Sequence, residues 1–86
     1  MLVVKKYLYE ILEALEKEDK NTMDIMREVC NSKYNIIARN SLEFAEEKGL
    51  VAKRRGEKNE MIYSLTSKGR KFLDSARELN HLLEVW

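Results

Sequence analysis

The sequence predicts a mainly α-helical α+β domain: four helices, with one small β-hairpin set before the last. Three observations predict it. Apolar residues recur at helical spacing through most of the 86 residues. There is no proline, and only three glycines interrupt the pattern. One stretch, Leu50–Leu65, switches to strand-like alternation around a polar centre. A chain of this length supports one domain with one modest core.

The first helix is expected from about Val3 to Glu18, because Val4, Leu8, Ile11, Leu12 and Leu15 fall on one stripe. Asp19-Lys20-Asn21 is a polar break. Thr22 suits the N-cap of a shorter second helix, with Asp24 in its first turn and Ile25, Met26 and Val29 on its apolar face. Cys30 fits that face as a small hydrophobe. Asn31 and Ser32 are expected to turn the chain and cap a third helix, which Gly49 ends as a C′ residue. Ile37, Ala38, Ser41, Leu42 and Ala45 make its inner side, with Phe44 at the edge. Strands are expected at Leu50–Arg54 and Glu60–Leu65. The tip between them is Arg55-Gly56-Glu57-Lys58-Asn59, with Gly56 relieving the turn.

Thr66 is expected to cap the last helix. Phe72, Ala76, Leu79, Leu83 and Trp86 make its stripe, widened by Leu73 and Leu82. Phe72, Leu79 and Trp86 are spaced by seven, as in a coiled-coil seam. The near half of this stripe can cover the first helix, and the far half overhangs. A second copy of the helix is the simplest cover, giving a two-fold homodimer through Phe72, Ala76, Leu79, Leu82, Leu83 and Trp86. The alternative is a helix folded back fully on its own domain.

The formal net charge is +1, far from that of a protein that coats nucleic acid by bulk charge. The distribution is uneven. Residues 1–49 hold eight basic and ten acidic side chains, and residues 50–72 hold seven basic and two acidic. Arg54, Arg55 and Lys58 sit at the hairpin tip, and Lys68, Arg70 and Lys71 crowd the first turns of the last helix. Bases oppose the helix dipole at that end, which hints at an anionic partner. Solvated side chains are the plain alternative for both groups.

The outer side of the third helix carries Lys33, Asn35, Ile36, Arg39, Asn40 and Glu43. Arginine and asparagine can bridge two atoms of a base edge, arginine on guanine and asparagine on adenine. They fall in the first half of the helix, whereas Glu43, Glu46 and Glu47 would repel phosphate from the second half. A merely solvated face is again the alternative for Arg39 or Asn40 taken singly.

One histidine, one cysteine and no acid cluster at ligand spacing leave no nucleophile–base pair and no metal set. No catalytic residue, cofactor or small-molecule ligand is expected. His81 is expected at a surface or interface. Cys30 alone forms no internal disulfide, and no run reaches the ~20 apolar residues of a membrane span. A cytoplasmic setting without membrane contact is the expectation.

The run SLEFAEEKGLVAKRRGEKNEMIYSLTSKGRKFL resembles the archaeal-type winged-helix DNA-binding proteins. Their pattern is a helix, Lys-Gly-Leu-Ile/Val, a hairpin, then Tyr-x-Leu-Thr-x-Lys-Gly-x-x-hydrophobic. Lys48, Gly49, Leu50 and Val51 occupy the first motif, and Tyr63, Leu65, Thr66, Lys68, Gly69 and Phe72 the second. The chain is also similar to MarR-like and PadR-like transcription factors, and to small chromatin proteins that dimerise through a C-terminal helix. The resemblance implies a winged helix-turn-helix over residues 1–66 and a packing and dimerisation helix over 67–86. It further implies double-stranded DNA as partner, the third helix in the major groove and the hairpin on the backbone. Near-neutral charge and a short last helix depart from the chromatin branch and favour a transcriptional regulator. A protein-interaction winged helix and a small archaeal chromatin protein remain the alternatives.

Overall fold

The computed structural model describes residues 2–30 and 35–83, with the side chains of 7–30, 35–79, 81 and 82. Its elements are α1 (Leu2–Lys17), β1 (Lys20–Asn21), α2 (Thr22–Cys30), α3 (Ile36–Glu47), β2 (Val51–Arg55), β3 (Met61–Leu65) and α4 (Ser67–Leu83). The fold is therefore mostly helical with a small antiparallel sheet, as the sequence predicts. Asn31, Ser32, Lys33 and Trp86 lie outside the described residues, as does the Leu83 side chain.

The core is built on α1. Its stripe buries Leu8, Ile11, Leu12 and Leu15, and Ala14 beside them. Ile25 and Met26 of α2, Ala38, Leu42 and Ala45 of α3, and Leu73 of α4 close over it. Fully buried side chains such as Ile11, Leu12, Ile25, Met26 and Leu73 each contribute about 1.5–3 kcal/mol by transfer from water. Leu50, Val51 and Tyr63 carry the same core onto the sheet.

The polar break before α2 is a strand. Lys20 pairs with Tyr63 and Asn21 with Ile62, so the sheet has three strands in the order β1-β3-β2. Its two polar residues carry no alternation for a sequence reading to find. The cap of α2 moves with it: the Asn21 Oδ1 accepts from the Asp24 N–H at 2.8 Å, so Asn21 takes the place expected of Thr22.

The start of α3 is also corrected. The N-cap is Asn35, not Asn31 or Ser32, and its Oδ1 accepts from the Ala38 N–H at 3.0 Å. The other end follows expectation. Gly49 has φ +77°, the Gly49 N–H bonds the Glu46 carbonyl, and the Leu50 N–H bonds the Ala45 carbonyl. These are the paired bonds of a Schellman ending, which favours glycine at the left-handed position.

In the hairpin, Gly56 and Glu60 join by one backbone bond, and the Asn59 N–H reaches back to the Gly56 carbonyl. The left-handed residue is Asn59, at φ 65°, rather than Gly56. This is a three-residue loop ended by a left-handed residue. Asparagine tolerates that conformation better than most side chains.

Candidate nucleic-acid interface

Three places carry the expected site residues: the outer face of α3, the β2–β3 tip and the start of α4. On α3, Ala38, Ser41, Leu42 and Ala45 are buried. The 3.6-residue period then turns Ile36, Arg39, Asn40 and Glu43 outward, and all four are exposed. The small inner residues let α3 lie close on α1. Ile37 is the exception to the predicted inner side, at 41% exposure with Phe44 at the same value seven residues on. The apolar stripe of α3 is thus narrower than its sequence suggests. The Lys48 ammonium stands 5.7 Å from the Phe44 ring centroid, which shields part of that ring.

Asn35 belongs to the helix start more than to the outer face. While its Oδ1 caps Ala38, its Nδ2 donates to the Tyr7 hydroxyl at 3.2 Å. Both ends of the amide are engaged, and the residue is half-buried. Its geometry makes it a tie between α1 and the first turn of α3.

At the tip the bases divide. Arg54 pairs across the sheet with Ile62, which pairs with Asn21, so its row leads to the end of β1. There its Nη1 meets the Asp19 carboxylate at 2.9 Å. Arg55 bonds the neutral Asn59 side chain and has no salt bridge among the described residues. Lys58 is exposed, and its backbone N–H is held by the Glu60 carboxylate at 2.9 Å. Lys53 faces Glu46 of α3 at 3.9 Å, so β2 runs beside the acidic half of that helix.

The start of α4 is a junction. The Thr66 hydroxyl accepts from the Gly69 N–H at 2.9 Å, capping the helix as predicted. It also lies 2.6 Å from the Gly49 carbonyl and 2.9 Å from that of Leu50. Lys68 donates from Nζ to the Lys48 carbonyl at 2.8 Å, placing a cation on the negative end of α3. Gly69 has no room for a side chain, because a Cβ would sit 1.9 Å from the Leu50 carbonyl oxygen. The Thr-x-Lys-Gly motif therefore clamps α4 to the end of α3 and the start of β2. Lys68 has an internal acceptor where the sequence suggested an anionic partner. Arg70 leans to Glu16 at 3.7 Å.

Further along α4, Leu73 is the buried anchor, while Phe72, Leu79 and Leu82 are exposed at 42%, 56% and 71%. Ala76 is half-buried. Arg77 reaches back to α1 and bonds Glu16 at 2.6 Å and Glu13 at 3.3 Å. The Arg77 hydrogen bond holds the Glu16 carboxyl below its ordinary pKa, and the same bond raises that of Arg77. No sequence motif marked this ion cluster. Its only signal was a glutamate pair at i, i+3 on the first helix and an arginine on the last.

Among the described residues, no group of His, Cys, Asp or Glu could hold a metal ion, and no helix is long and apolar enough to cross a membrane.

The sequence profile of the winged helix-turn-helix family matches residues 6–84. No curated protein matches the chain. Solved structures do. The transcriptional regulator BldR from Sulfolobus solfataricus superposes with a TM-score of 0.74 at 24% identity, over 93% of this chain and 61% of its own. A PadR family transcription regulator from Clostridium difficile gives 0.77 at 20% identity, over 91% and 90%. A transcriptional regulator from Clostridium thermocellum gives 0.79 at 17%, over 96% and 87%. At these identities the likeness is one of fold. This chain spans 61% of the Sulfolobus protein's length and most of the two clostridial ones.

Proposed function

Because the chain belongs to the winged helix-turn-helix family, we propose that it is a duplex DNA-binding transcriptional regulator acting as a homodimer. Residues 1–66 form the DNA-binding part, and 67–86 pack on it and pair the two copies. In this reading α3 enters the major groove. Arg39 and Asn40 meet base edges, Lys33 and Ile36 flank them, and Asn35 sets the helix start. Arg55 and Lys58 lie on the sugar-phosphate backbone. Arg54 joins them by exchanging Asp19 for a phosphate, an exchange that costs little because an exposed pair is worth only about 0–1 kcal/mol. Phe72, Ala76, Leu79, Leu82, Leu83 and Trp86 make the dimer face. The Sulfolobus and Clostridium difficile proteins of like fold are transcription regulators, which supports the regulatory assignment.

The observation that carries the reading is the outward placement of Arg39 and Asn40 on a helix whose inner face is small and buried. The test is a titration with mixed-sequence duplex DNA at low salt, followed by the same titration at rising salt. Binding is expected, with log K falling against log salt by about 0.9 per phosphate contacted. Absence of binding at low salt rejects the proposal. For pairing, sedimentation should give a dimer for the native chain and a monomer for Leu79→Glu with Leu82→Glu. A native monomer rejects that part.

A second reading, a winged helix that binds protein, has one specific support. Arg54, Lys68, Arg70 and Arg77 already have internal partners. The same low-salt titration, if negative, puts that reading ahead.

A further inference from the structure

Ile36 is the first residue of α3 and is 69% exposed. It does nothing for the core at that exposure. Nor does it favour the helix, since a β-branched residue is a middling helix former at best. Its neighbours on the same face are Arg39 at i+3 and Asn40 at i+4, both exposed. Asn35, the polar residue before it, is committed to the helix cap and to Tyr7. The leading edge of the helix therefore presents an apolar side chain directly ahead of two side chains suited to base edges.

The major groove has one apolar feature that distinguishes base pairs, the C5-methyl group of thymine. We propose that Ile36 packs on a thymine methyl, so that the preferred DNA carries thymine beside the bases met by Arg39 and Asn40. The inference rests on the DNA-binding reading above and adds its first sequence preference. Arg39 and Asn40 select by hydrogen bonds, while Ile36 selects by apolar burial. Cytosine, which lacks the methyl, leaves Ile36 facing water. Glutamate at 43, one further turn along the same face, keeps the apolar contact at the N-terminal end by repelling phosphate from the other.

The test uses the full chain and a duplex pool with a randomised 20-base-pair core. Duplexes recovered by the protein are resynthesised with deoxyuridine replacing one thymidine at a time, which removes only the methyl group. Affinity is read by fluorescence anisotropy. Removing one methyl at the position Ile36 meets is expected to weaken binding about fourfold, the effect of one buried methyl-sized group. Ile36→Ala should bind the thymine duplex more weakly than the native chain does, and should no longer distinguish it from the deoxyuridine duplex. Arg39→Ala should bind more weakly and still distinguish them. A native protein indifferent to every deoxyuridine substitution overturns the inference, as does an Ile36→Ala variant that keeps the fourfold difference. Failure to bind any pool at low salt strikes the DNA-binding reading itself, and is distinguishable because no duplex is then recovered. The thermal melt of Ile36→Ala by circular dichroism should match the native chain, since the side chain is mostly in water.

Discussion

The side-chain charges of Arg55 and Lys58 at the hairpin tip form no salt bridge among the described residues, whereas Lys68 and Arg70 at the start of α4 turn onto the protein's own acceptors. The two groups lie ten to fifteen residues apart and are alike in type and local density. What differs is what each backbone is doing. At the hairpin tip Arg55 bonds the Asn59 side chain within the loop, and Lys58 is exposed. The start of α4 lies against the end of α3, where unpaired carbonyls and the negative helix end attract a cation. A basic cluster near a helix terminus can thus be explained by a neighbouring helix before any external anion is invoked.

The comparison can be broken in three places. The largest effect is expected in the clamp. Gly69→Ala drives a Cβ into the Leu50 carbonyl and should destabilise the fold by about 2–4 kcal/mol, read by urea unfolding. Native stability in that variant would mean that α4 can shift freely against β2, and the clamp would lose its meaning. Next, Arg55→Ala with Lys58→Ala should reduce the salt slope of DNA binding by close to 2 with little change in stability. Lys68→Ala should do the reverse, costing about 0.5–1 kcal/mol of stability and leaving the slope unchanged. A reduced slope for Lys68→Ala would place both clusters on DNA.

The smallest effect concerns the α1–α4 ion cluster. Glu16 is held below its ordinary pKa of 4.5 by the Arg77 hydrogen bond. A depressed folded pKa contributes stability that is complete above the unfolded value and is lost as pH falls through the folded one. Native protein should therefore exceed Glu16→Gln by at most about 1 kcal/mol at pH 7, given the exposure of Arg77, and the gap should close progressively as pH falls below 4.5. A constant gap across that range would assign the difference to packing.

These outcomes depend on features that differ in how far the sequence reveals them. The helices of the core are readable because each buries a stripe with its own period. Gly49 and Thr66 are readable because an ending glycine and a capping hydroxyl act within a few residues of themselves. Lys20–Asn21 is not, since its pairing is decided by the edge of β3, forty residues away. Asn35 reads as an outer-face residue, with the cap expected at Asn31 or Ser32, and its bonds to Ala38 and Tyr7 depend on a helix start and a distant tyrosine that spacing alone does not locate. Phe72 and Leu73 are adjacent, and either could anchor α4 by pattern alone. The contact of Gly69 with Leu50 fixes the rotation of the helix and sends Leu73 inward.

The position of β2 has one more consequence. It pairs with β3 on one side and with no strand among the described residues on the other. An open edge is a template on which a second molecule can add a strand. Lys53, Arg54 and Arg55 follow one another along this edge, Lys53 beside Glu46 and Arg54 beside Asp19, and charged side chains on an edge strand oppose strand addition. Variants that neutralise these side chains should be checked for association before any loss of binding is interpreted.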